Sequence, residues 1–162
     1  MQPTVPFQDA LYQEMLGRIK ETDLSVPYRR DGFYYYTRTE EGKQYPIRCR
    51  KPGSLEAPEQ VVLDLNELGQ EHKFVALGDY EVSDDGNWLA YSLDTTGFRQ
   101  YTLHVKDLRT GAAGPESVPR TANATWAADN RTLFYTVEDP AKRQYRLFRH
   151  RLGETDDALV YE

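Results

Sequence analysis

"SDDGNWLAYS" (residues 83–92) reads as a tight turn that runs straight into a strand. Asp85-Gly86 makes the turn, because glycine accepts a positive φ and aspartate bonds to the backbone beside it. "NWLAYSLD" (87–94) has the short, aromatic character of a strand. Whether this unit stands alone or is one copy of a repeat decides the fold. Asp31-Gly32 and Asp129-Asn130 also provide turns before strands, and Tyr36-Thr37, Tyr91-Ser92 and Tyr135-Thr136 follow the three turns by five or six residues. A basic residue with Gln and Tyr comes next in each copy: Lys43-Gln44-Tyr45, Arg99-Gln100-Tyr101 and Arg143-Gln144-Tyr145. The glutamines lie 56 and 44 residues apart, and a loop or small helix within 67–79, "ELGQEHKFVALGD", absorbs the longer interval.

Between these landmarks the chain is a succession of short strand-like runs. They are 33–39, 45–51 and 60–66; then 87–94, 100–108 and 116–120; then 132–139, 145–152 and 157–162, with 80–82 and 124–126 each able to open a set. A period near 44 residues with about four strands per unit is the rhythm of propeller blades. The expected fold is therefore all-β: a partial propeller over 28–162, with blades at about 28–68, 79–120 and 121–162. A helical segment, 1–27, precedes it. Within that segment "QDALYQEMLGRIK" (8–20) places Leu11, Tyr12, Met15, Leu16 and Ile19 on one helical stripe. Asp9 suits a helix start and Lys20 a helix end, and Pro27 stops the helix before the strands begin.

Composition narrows the function classes. Of 162 residues 39% are hydrophobic and 12 are tyrosine, which suits half-buried strands whose rings pack while their hydroxyls reach water. The net charge of −6 argues against a nucleic-acid partner and weakly favours basic ones. Cys49 is the only cysteine, so no internal disulfide forms and no zinc site can be made from thiolates, and a reducing, cytoplasmic compartment is expected. The N-terminal residues lack the pattern of a signal peptide, and no apolar run is long enough to span a membrane.

"EMLGRIKETDLSVPYRRDGFYYYTRTEEGKQYPIRCRK" (14–51) resembles the start of the oligopeptidase B branch of the prolyl oligopeptidase family of serine peptidases. "LDLNEL" (63–68), the long block 72–108 and "WAADNRTLFYTVED" (126–139) continue the resemblance over nearly all of the chain from about residue 10. The resemblance implies a seven-bladed propeller set on an α/β-hydrolase domain with a Ser-His-Asp triad. It also implies a propeller that admits only short peptides, and cleavage after Lys or Arg. Two departures stand out: the chain stops after the third blade, and it lacks most of the segment that normally precedes the helix. Both imply an excised or truncated piece of the propeller, whose partners are the hydrolase domain and short basic peptides. The alternative is a free-standing propeller-type interaction scaffold without activity.

No catalytic, cofactor-binding or metal-ligating residue is assigned, and no cofactor is expected. A nucleophile elbow needs G-x-S-x-G, which does not occur, and "PGSLE" (52–56) reads as a turn. His72, His104 and His150 show no ligand spacing, and the last two are expected to be surface or half-buried strand residues. The acid pairs Glu40-Glu41, Asp84-Asp85 and Asp156-Asp157 fall in turns and read as solvated, or else as an acidic lining for basic peptides. Cys49 reads as a packed thiol. "NAT" (123–125) and "NRT" (130–132) are acceptor triplets that matter only in a secreted protein. The basic run 142–151 alternates Tyr145, Leu147 and Arg149 against Arg146, Phe148 and His150, so it presents no wholly basic face. An open set of three blades is expected to self-associate.

Overall fold

The computed structural model describes residues 5–18 and 22–162. A helix, α1 (Val5–Gly17), leads into three four-stranded antiparallel sheets. The first holds β1 (Tyr28–Arg30), β2 (Phe33–Arg38), β3 (Ile47–Pro52) and β4 (Gln60–Asp64). A four-residue helix, α2 (Leu65–Leu68), follows it. The second holds β5 (Ala76–Val82), β6 (Trp88–Asp94), β7 (Thr102–Asp107) and β8 (Ala113–Pro119). The third holds β9 (Thr121–Trp126), β10 (Thr132–Glu138), β11 (Gln144–Arg151) and β12 (Ala158–Tyr161). Each sheet is a meander in sequence order, the strand arrangement of a propeller blade.

Successive side chains of a strand point to opposite faces, and the middle blade buries both. Leu89 and Tyr91 of β6 join Tyr35, Val62, Leu63 and Val82 in the core between the first and second blades. Ala90, next to them in sequence, joins Leu103, Val105, Leu133 and Tyr135 in the core between the second and third. A smaller cluster of Tyr36, Ile47 and Cys49 sits on the opposite face of the first blade from Tyr35. The repeat reaches into pairing: Tyr36 faces Cys49, Tyr91 faces His104 and Tyr135 faces Phe148 across the second and third strands of each blade.

The three repeated turns occupy one topological position but not one geometry. Asp31 (φ 47) and Gly32 (φ 83) form a two-residue hairpin that pairs Arg30 directly with Phe33. The other two are five-residue loops closed by Gly86 N to Ser83 O (2.8 Å) and Asn130 N to Ala127 O (3.0 Å), with Gly86 (φ 71) and Asn130 (φ 56) left-handed. Asp85 and Asp129 play the same part in both: one carboxylate oxygen accepts the backbone N–H two residues on, at 3.0 Å in each loop.

Other boundaries differ from the sequence reading. The N-terminal helix begins at Val5 and ends at Gly17, so Asp9 lies inside it, and Ile19 and Lys20 lie outside the described residues. None of its residues is buried, and Leu16 alone of the stripe is even half-buried among those described. Of the loop or small helix expected within 67–79, the loop fills 69–75, and a helix forms just before it, at Leu65–Leu68, because the Asp64 side chain accepts the Asn66 N–H (2.7 Å) and starts it. Asn66 in turn clamps Tyr45, accepting its N–H at 2.9 Å and donating to its carbonyl at 2.8 Å.

Candidate functional site

Most of the singled-out side chains serve structure. Cys49 is buried, and burial first, then the Glu59 charge, pushes its thiol up to about 11, so it stays protonated and inert. Ser54 follows Gly53 (φ 72) in an exposed turn and donates to Glu56 (2.7 Å). His72 is exposed, whereas His104 is half-buried against the Tyr91 ring, 5.5 Å between centroids, and burial lowers its pKa. Glu40 pairs with Arg38, and Asp84 lies 3.6 Å from Arg30. Among the described residues no cluster of three His, Cys, Asp or Glu side chains is placed to hold a metal ion.

One expectation needs correction: His150 is buried rather than surface or half-buried. Asp157 lies in an exposed loop, as expected, but its carboxylate is engaged. His150 Nδ1 lies 2.7 Å from Asp157 Oδ1, and the Tyr135 hydroxyl donates to Asp157 Oδ2. The first blade has a counterpart, in which Tyr36 donates to Glu59 (2.5 Å) and Arg38 pairs with the same carboxylate (3.0 Å). In both blades the repeated tyrosine thus ties an acid just before the outer strand back to the sheet.

One candidate surface for handling a ligand chain is the one formed by the first strands. Each of β1, β5 and β9 has a partner on one side only, so each presents a free backbone edge. The second and third blades meet chiefly where β5 packs on β9. A bulge between Leu77 and Tyr80 re-aims β5. At it the Asp79 N–H bonds Ser92 Oγ (2.8 Å), and the Asp79 carboxylate accepts the Ala124 N–H of β9. Trp126 Nε1 donates to the Glu81 carbonyl (3.0 Å) two residues further along both strands. Side chains thereby cap edges that no backbone partner covers. The polar groups along these strands change sign across the blades: the exposed Arg29 and Arg30 on β1, the half-buried Asp79 and Glu81 on β5, and the exposed, neutral Asn123 and Thr125 on β9. Burial first, then the Asp79 charge, raises the pKa of Glu81.

All 162 residues match the family described as prolyl oligopeptidase, N-terminal beta-propeller domain. The chain belongs to that family. It is 44% identical to the dipeptidyl aminopeptidase BI of Pseudoxanthomonas mexicana and 34% identical to protease 2 of Moraxella lacunata; each alignment covers 100% of this chain and 25% of the relative. It superposes on the oligopeptidase B of Leishmania major with a TM-score of 0.85 and 29% identity, over 98% of this chain and 23% of that one. This propeller domain therefore spans about a quarter of the length of the peptidases it matches. The sequence reading missed its β5–β9 contact because it began that strand at Tyr80, one residue past Asp79. Gly78-Asp79 inside an otherwise apolar run is the signal that marks the bulge.

Proposed function

We propose that this propeller is the gate of an oligopeptidase B-like serine endopeptidase that cleaves short peptides after Lys or Arg. The observation that carries the reading is the superposition on an oligopeptidase B over almost the whole chain. In this role the blades and their axial surface limit which substrates reach a triad held on a separate α/β-hydrolase domain. The acidic side chains of β5, Asp79 and Glu81, support a preference for basic over acidic peptides. A reducing, cytoplasmic compartment belongs to the same proposal and is supported by the single, buried thiol. A second reading follows from the 44% identical relative, whose name is that of a dipeptidyl aminopeptidase. A free-standing interaction scaffold is the third.

The test has two arms. The 162-residue chain, incubated with a fluorogenic peptide ending in Arg, is expected to give no turnover that a serine-directed covalent inhibitor abolishes. The product of the complete gene is expected to cleave short peptides after Lys and Arg and to leave folded proteins intact. Release of dipeptides from free N-termini would replace the first reading with the second. A gene that encodes no nucleophile elbow would leave the scaffold.

A further inference from the structure

Between the outer halves of the second and third blades lies a cavity of about 380 Å³. Its floor is apolar, made by Leu103, Val105, Val118 and Leu133. Glu116 and His150 project into it. His150 is only 8% exposed, and its Nδ1 is committed to Asp157. A carboxylate only accepts, so Nδ1 carries a proton and Nε2 is left facing the cavity. That Nε2 is buried and has no hydrogen-bond partner among the described residues. Glu116 Oε1 lies 3.8 Å from it, beyond hydrogen-bond range. The Glu116 side chain is itself only 12% exposed. Its carboxylate has room there because residue 114 is glycine, where a Cβ would collide with it.

In the neutral imidazole, Nε2 and Glu116 are two acceptors that share no donor among the described residues, and buried polar groups are satisfied in most folded proteins. Glu154 and Asp157 also line the cavity, and among the described residues no lysine or arginine does. We propose that this cavity binds an alkylammonium or alkylguanidinium, its N–H groups bridging Glu116 and His150 Nε2 and its hydrocarbon stem lying on the apolar floor. A donor about 2.9 Å from each acceptor spans the gap, and the volume is at the small end of ligand pockets. The same chemistry belongs to a free amine and to a lysine or arginine side chain. The site lies away from β1, β5 and β9 and is independent of the gating role.

The experiment is a titration of the 162-residue chain followed by the imidazole NMR signals, with His150 assigned by exclusion from His72→Gln and His104→Gln spectra. At pH 8 n-butylguanidine is expected to shift the His150 signal saturably, while n-butanol or added sodium chloride does not. Glu116→Gln is expected to weaken binding at least ten-fold and to leave the unfolding temperature unchanged, because this carboxylate accepts no hydrogen bond from the described residues. If that variant fails to fold, Gly114→Ala, which displaces the carboxylate, is expected to weaken binding likewise. Acetyl-argininamide binding more tightly than n-butylguanidine would assign the site to a peptide side chain, and the reverse order to a free amine. An unmoved His150 signal, equal binding of n-butanol, or a Glu116→Gln or Gly114→Ala variant that folds and binds as wild type would overturn the proposal.

Discussion

Gly86 is held from three directions. Its φ of 71 lies in the left-handed region, Arg50 Nη1 donates to its carbonyl at 2.6 Å, and the Phe33 ring stands where a Cβ would go. Phe33 cannot swing away cheaply, since the buried Arg50 guanidinium lies 4.1 Å from its ring centroid. Gly86→Val is therefore expected to cost on the order of 1–3 kcal/mol from backbone strain, with the collision added. Gly97 has a similar φ of 78 but only one ordinary contact, Phe74 at 3.9 Å, so Gly97→Ala isolates the strain. Urea unfolding of the two variants checks this; a wild-type curve for Gly86→Val contradicts the turn. Asp129 supplies a pH effect. Two backbone N–H groups, of Arg131 and Thr132, and the Thr132 hydroxyl lower its pKa to about 2. The unfolded value is about 3.9, so its stabilisation is complete above about pH 4 and is lost as pH falls toward about 2. Asp129→Asn is expected to flatten the acid limb of thermal unfolding over that window and leave the neutral limb parallel.

At the scale of elements, alternation and turn residues were enough to place most strands. They failed where an element is too short or too broken to show a period. β1 is three residues long, and β8, "AGPESVP", carries two prolines and a glycine. An outer strand tolerates these because it owes hydrogen bonds to one neighbour only. Contacts between blades were harder still, because they join residues far apart in sequence. Trp126 Nε1 to the Glu81 carbonyl spans 45 residues, and Lys106 Nζ to the Val62 carbonyl (3.0 Å) spans 44. Trp126→Phe keeps most of the ring and removes the donor. It is expected to lower stability by about 1 kcal/mol, read as a small, two-state shift in the urea midpoint. No shift would mean that the indole bond adds nothing to the β5–β9 contact.

At the scale of the molecule, three blades leave two faces without a neighbour. The Tyr36, Ile47 and Cys49 cluster lies under one of them, and Leu159, Val160 and Tyr161 of β12 are exposed at the other end. Phe7, Leu11 and Met15 of α1 are exposed as well. Apolar surface of this kind favours association, and β12 offers a free edge to pair. The chain is expected to self-associate, as a two-fold dimer since closed symmetric contacts are commonest. Light scattering across a concentration series measures this, and a clean monomer at high concentration would rule it out. Removal of residues 1–17 is expected to weaken association without lowering the unfolding temperature, because α1 buries none of its side chains.

The repeat and its four-stranded unit were legible from the chain alone, because turn chemistry and period-two alternation are local properties. They also explained Asp85 and Cys49 correctly as parts of a turn and a core. The pairing of His150 with Asp157, the Glu116 carboxylate beside them and the Asp79 cap on β9 were decided only by tertiary structure. A strand's sequence says which face a side chain occupies. Which residues it meets there depends on how one twisted sheet is set against the next, and that is fixed by packing between blades rather than by any pattern within one.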